Sequence, residues 1–107
     1  MDNLAVILSQ KEKLECLNEV IKKLKKIIYV YEKSQEENAT YDYKIFIRSL
    51  IFYVSSADNL FEGKLINIII NLNSIAINDF NKKQLKSIVF DMLNHAEYLL
   101  KQEGGLS

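Results

Sequence analysis

The chain has 107 residues, of which 49% are hydrophobic and 26% are charged, so it can bury a core without disulfide bonds. Fourteen basic and fourteen acidic residues give a net charge of zero, which argues against nucleic-acid wrapping by the chain as a whole. A single cysteine, Cys16, excludes an intramolecular disulfide and favours a reducing compartment. No apolar run reaches the roughly 20 residues of a membrane span. We therefore predict one cytoplasmic domain over residues 1–107.

The first long pattern predicts a helix over residues 10–33. The chain contains no proline and only three glycines, which favours long helices over a many-stranded sheet. Ser9 and Glu12 have the spacing of an N-terminal capping box. The short stretch 3–8 before them is expected to form an extra N-terminal helical segment, separate or continuous. The following apolar residues recur at steps of three and four, as on one helix face: Leu14, Leu17, Ile21, Leu24, Ile28 and Tyr31.

Three further helices are predicted after polar breaks in the chain. The linker SQEENAT ends in Thr40, a potential N-cap for a helix over 41–55, which is apolar on more than one side and thus central or at an interface. A third helix is predicted over 58–76, although Gly63 could delay its start. The fourth covers 81–102, with Asn81 and Gln84 at capping-box spacing and glycines 104 and 105 as its stop. The sequence therefore predicts an all-α antiparallel bundle of four main helices.

Residues able to carry out catalysis are scarce in this sequence. His95 is the only histidine and Cys16 the only thiol. Asp91 lies one helical turn before His95, and the pair is typical of a surface contact as well as of acid–base chemistry. Phosphate-binding glycine loops and paired Glu-x-x-His metal motifs do not occur in the sequence. We expect no enzymatic activity, no cofactor and no metal site.

The sequence KKLKK at residues 22–26 suggests contact with phosphate groups. Glutamates precede it on the same helix, and the spacings predict Glu19–Lys23 and Glu15–Lys22 pairs that reduce its field. An ordinary solvated helix face is the alternative to a nucleic-acid contact.

The segment 29–43, YVYEKSQEENATYDY, joins the first two predicted helices and is rich in tyrosine and carboxylate. Tyr31 and Tyr43 fit the core stripes, whereas Tyr29 and Tyr41 are expected to be exposed. Exposed tyrosines and clustered carboxylates are typical of surfaces that bind basic proteins, although a solvated loop has the same composition. The predicted partner-binding residues are Tyr29, Glu32, Glu36, Glu37, Tyr41 and Asp42.

Small size, an all-α pattern, scarce catalytic residues and this acidic-aromatic segment resemble the small helical bacterial immunity proteins. The resemblance is architectural and rests on no shared motif. It implies stoichiometric binding of one cognate bacterial toxin with a basic surface, without turnover. Two other classes stay open: a nucleic-acid-associated regulator that uses KKLKK, and a structural homo-oligomer. Steep salt dependence would distinguish the former from an oligomer held by apolar faces.

Overall fold

Helices form most of the molecule. The computed structural model describes the backbone of residues 2–36 and 42–104, with side chains from residue 10 onward in these ranges. Within them the chain forms no strand, so the predicted all-α class is confirmed. The α-helices are α1 (Asp2–Ser34), α2 (Tyr43–Ala57), α3 (Ile66–Ile77) and α4 (Lys82–Glu103), and a 3₁₀ helix (Asp58–Phe61) follows α2.

Helix α1 is longer than the sequence predicts and continuous. It begins at Asp2 rather than at residue 10 and includes the segment 3–8. Ser9 lies inside this helix, so the prediction of an N-cap there is wrong. The 33 residues of α1 are about 50 Å long at 1.5 Å per residue, close to the molecule's 56 Å longest dimension.

The four helices form an antiparallel ring in which each helix packs against two others. Helices α1 and α3 each contact both α2 and α4. Two ion pairs set the direction of α4 against α1: Lys82 contacts Glu32 at one end, and Lys13 contacts Glu103 at the other. Lys44, near the start of α2, donates to the Ile75 and Asn78 carbonyl oxygens at the end of α3. The predicted four-helix bundle is therefore confirmed.

The core consists of the apolar stripes of these helices, and its buried residues include no polar or charged side chain among those described. Val20 and Ile27 of α1 are fully buried, whereas Ile28 and Tyr31 of the predicted stripe are half-buried at its edge. Burial of leucine-sized side chains contributes roughly 1.5–3 kcal/mol each relative to exposure. The largest fully buried side chains are Phe61, Leu17, Leu24, Ile27, Ile47, Leu50, Leu65, Ile68, Leu72, Ile75, Leu85 and Met92.

Side-chain caps begin α2 and α4. Asp42, rather than Thr40, is the N-cap of α2, and its carboxylate accepts from the Lys44 amide at 2.9 Å. The helix consequently starts at Tyr43 instead of residue 41. The predicted capping box of α4 is confirmed, because Asn81 accepts from the Gln84 amide at 2.9 Å and donates its own amide to the Gln84 side chain at 3.0 Å. The helix stops at Gly104 as expected, but that glycine has φ −76° and not a left-handed conformation.

The third helix differs from its predicted span of 58–76. Residues 58–61 form the 3₁₀ helix, and the chain then turns through two left-handed residues, Glu62 (φ 52°) and Gly63 (φ 83°). The Asp58 carboxylate accepts from the Leu65 amide at 3.2 Å and fixes this turn. Helix α3 therefore starts only at Ile66, after Gly63.

Helix α2 lies on the outside of the bundle and is not enclosed by other helices. Its Ile45 is 61% exposed and its Phe52 is 76% exposed, so the expectation of a central helix is wrong. The described helices include none with the length and apolar character needed to cross a bilayer.

Candidate functional site

The predicted partner-binding residues lie at the end of the bundle where α1 finishes and α2 and α4 begin. Tyr29, Glu32, Glu36 and Asp42 are all exposed there. Glu37 and Tyr41 lie outside the described residues. The structure thus brings the four described residues to one end of the molecule.

Each described carboxylate of this set has a basic neighbour within the protein. Glu32 contacts the Lys82 amine at 2.5 Å, and the hydrogen bond and charge of that amine lower the pKa of Glu32 below its ordinary value. Glu36 contacts Lys33 at 3.3 Å, and the hydrogen bond that its carboxylate accepts from Lys33 raises the pKa of the lysine. Asp42 contacts Arg48 at 3.8 Å in addition to capping α2. The negative charge of the segment is therefore partly compensated by Lys33 within it and by Lys82 and Arg48 outside it.

The described tyrosines of the segment are buried or exposed as the helical stripes predict. Tyr31 packs edge-on against Tyr43 with ring centroids 5.2 Å apart. Tyr43 is buried, and burial, together with Asp79 and Asp42, raises the pKa of its phenol. Tyr29 is 57% exposed, and the Lys33 amine lies 5.7 Å from its ring centroid. Tyr29 is the described aromatic side chain of this set that a partner can reach.

The KKLKK lysines occupy two environments. Lys23 pairs with Glu19 at 3.5 Å and lies over the Tyr53 ring, and Lys26 lies over the Phe46 ring at 6.0 Å. Lys22 and Lys25 are exposed. Of the two expected ion pairs, Glu19–Lys23 is present, whereas no Glu15–Lys22 pair forms in this described part of α1.

His95 has a structural contact instead of the expected partner Asp91. Its Nε2 lies 3.0 Å from the carbonyl oxygen of Lys64, which can only accept, so this nitrogen donates. The bond joins α4 to the turn before α3. Because Asp91 makes no hydrogen bond to His95, the two residues do not form an acid–base pair in this structure.

Cys16 lies in an open groove of about 540 Å³ between α1 and the end of α2. Glu12, Glu15 and Tyr53 also line the groove. Burial raises the pKa of the thiol above its ordinary 9.0, although the neighbouring Tyr53 hydroxyl opposes this effect. The neutral thiol therefore predominates near pH 7, and a thiol in this form is a poor nucleophile.

The described residues contain no cluster of three or more His, Cys, Asp or Glu side chains able to hold a metal ion.

Comparisons with protein-family models, curated protein sequences and solved structures gave no match to this chain.

Proposed function

We propose that this protein is a non-enzymatic binding protein of the immunity type. It captures one cognate bacterial toxin one to one in the cytoplasm and inhibits it by occupying a basic surface. The contact surface is the exposed bundle end with Tyr29, Glu32, Glu36 and Asp42, together with Glu37 and Tyr41. The observation that supports this proposal is the collection of an exposed tyrosine and several exposed carboxylates at one end of the bundle.

The internal ion pairs at this end are compatible with capture of a basic partner. Both partners in each of the pairs Glu36–Lys33 and Asp42–Arg48 are largely exposed. Exposed pairs of this kind contribute little to stability, because water screens them. Lysines or arginines of a toxin can therefore replace Lys33 and Arg48 at small cost, while the Tyr29 ring supplies contact area. Inhibition then requires no turnover and no cofactor.

The test uses the gene context and a charge reversal. Immunity proteins are expected next to their toxin, so the product of the adjacent upstream reading frame is the partner to purify. Calorimetric titration should give one-to-one binding that weakens about tenfold or more in Glu36→Lys/Glu37→Lys, the equivalent of 1.4 kcal/mol. The matched control is Asp91→Lys/Glu97→Lys, which makes the same charge change on exposed positions of α4 and should bind like the wild type.

Two results would count against the proposal in different ways. Equal binding by both double variants would show that the contact surface lies elsewhere on the molecule. Absence of any complex with the neighbouring gene product would contradict the immunity function itself.

A further inference from the structure

The neutral chain separates its charges along the bundle. Around the ends of α1 and α3 and the starts of α2 and α4, basic side chains outnumber the described acidic ones, which are Glu32, Glu36, Asp42, Asp79 and Asp91. We call this part the basic half. Its basic residues are Lys22, Lys23, Lys25, Lys26, Lys33, Lys44, Arg48, Lys82, Lys83 and Lys86.

The opposite half has the reverse balance. Its basic side chains are only Lys11, Lys13, Lys64 and Lys101. Its described acidic side chains are more numerous: Glu12, Glu15, Glu19, Asp58, Glu62, Glu97 and Glu103. A net charge of zero therefore conceals a basic surface on which an anionic partner can bind.

Within the basic half, α1 and α4 carry the same arrangement of exposed residues. In α1, Lys22, Lys25 and Tyr29 follow one another at steps of three and four. In α4, Lys83, Lys86 and Phe90 repeat these steps, and all six side chains are exposed. Steps of three and four keep residues on one helix face. We call these six residues the lysine–aromatic face.

The antiparallel packing of α1 and α4 interleaves the two arrangements. The Lys82–Glu32 and Lys13–Glu103 pairs fix the register of the helices. Because both helices rise equally per residue, residues whose numbers add up to about 115 lie level with each other. Lys25 is therefore level with Phe90, and Tyr29 with Lys86. Each exposed aromatic residue therefore lies at the same height along the bundle as a lysine of the other helix.

The four lysines of this face retain their charge for an external partner. Within the part of the chain that the structure describes, Lys22, Lys25, Lys83 and Lys86 take part in no ion pair. Phe90 is 63% exposed, which is unfavourable in water unless another surface covers the ring. Both the charge and the exposed rings are thus available to one ligand.

We propose that the lysine–aromatic face binds single-stranded nucleic acid. Lys22, Lys25, Lys83 and Lys86 contact consecutive phosphates, and bases stack on Tyr29 and Phe90. Alternation of cationic groups and aromatic rings is the arrangement with which proteins bind single strands without sequence preference. An anionic membrane fits less well, because the apolar faces of α1 and α4 lie in the core and cannot enter a bilayer.

The experiment measures fluorescence anisotropy of a labelled oligothymidylate of about 15 nucleotides over a series of salt concentrations. With about four phosphates neutralised, the logarithm of the association constant should fall with the logarithm of salt with a slope near −3. Lys25→Glu/Lys86→Glu should weaken binding at least tenfold. The matched control, Lys11→Glu/Lys101→Glu, changes the same charge on the same helices in the opposite half and should bind like the wild type.

A second pair of variants tests stacking. Tyr29→Ala/Phe90→Ala should weaken single-strand binding about tenfold or more, since stacking contributes roughly 1–3 kcal/mol per base. Tyr98→Ala, at an exposed tyrosine of α4 in the opposite half, is its control. Circular dichroism of each variant verifies that the helices are intact.

Several outcomes would overturn the inference. The first is that the protein does not bind the oligonucleotide at low salt, and the second is that both lysine double variants lose affinity equally. The third is that duplex DNA binds as tightly as the single strand and the aromatic variant keeps its affinity. The fourth is that the protein binds only to phosphatidylserine vesicles. The inference does not rest on toxin capture. Lys25→Glu/Lys86→Glu should leave toxin binding intact, so failure of either proposal can be recognised separately.

Discussion

Tyr53 is the residue whose environment most strongly alters its chemistry. Its side chain lines the same groove as Cys16. Burial, followed by the Cys16 thiol and Glu19, raises the pKa of Tyr53 from 10.0 to about 12. The negatively charged phenolate is disfavoured in the folded protein relative to the unfolded chain, where water solvates it.

This shift predicts a specific loss of stability in alkali. Because the folded pKa lies above the unfolded one, the contribution of Tyr53 is complete below pH 10 and is lost as pH rises towards 12. Ultraviolet titration should show one tyrosine ionising near pH 12, and Tyr53→Phe should abolish that step. A titration in which Tyr53→Phe leaves all the steps unchanged would contradict the assignment.

At the scale of a single helix, the start of α4 depends on the side chain of its N-cap, Asn81. Asn81 and Gln84 exchange hydrogen bonds that satisfy two backbone amides at this end. Asn81→Ala should lower the free energy of unfolding by about 1 kcal/mol in urea denaturation. Asn94→Ala, an exposed position within the same helix, is the control and should be neutral or slightly stabilising, because alanine favours helix. Equal losses in both variants would show that the cap contributes nothing.

The turn that delays α3 depends on Gly63. Its φ of 83° suits glycine, and a Cβ added there would have no heavy atom within 4 Å. The cost of Gly63→Ala therefore comes from backbone strain alone, and we expect a loss of roughly 1–2 kcal/mol in the free energy of unfolding. Thermal unfolding followed by circular dichroism measures it. A stabilised Gly63→Ala variant would show that this turn is not left-handed.

The features of the fold that depend on contacts within one helix could be predicted from the sequence. The stripes of α1 and α4 and the cap at Asn81 follow from spacing alone, and they are present. The start of α3 was predicted only as an alternative, a delay caused by Gly63, because it depends on a hydrogen bond from the Leu65 amide to the Asp58 side chain, seven residues away. Helix α2 was expected to be central or to cover an interface, because apolarity on several sides does not reveal which side is covered.

At the scale of the whole molecule, the register between α1 and α4 decides the electrostatics. Segment 29–43 reads as acidic in isolation, but Lys82 of α4 pairs with Glu32 across the helices. The same register joins the lysines of the two helices into one basic half. Sequence spacing within one helix contains no information about this register, so the exposure of Tyr29 was predictable whereas the pairing of Glu32 with Lys82 was not.

Both proposed contact surfaces lie in the basic half of the bundle, where a few carboxylates at the end of α1 and the start of α2 stand beside a larger number of lysines. The bundle end with Glu36 and Asp42 is proposed for a protein toxin, and the lysine–aromatic face for nucleic acid. These surfaces adjoin and share Tyr29. Both partners can therefore bind at the same time only if one of them does not contact the Tyr29 ring.

The central claim is that this chain functions by stoichiometric capture of a protein partner. The most direct measurement is the mass, by light scattering, of the complex that co-purifies when the chain is expressed with its upstream neighbour. We predict a one-to-one complex that survives moderate salt and is lost or weakened in Glu36→Lys/Glu37→Lys. Recovery of the chain without its neighbour would contradict the claim.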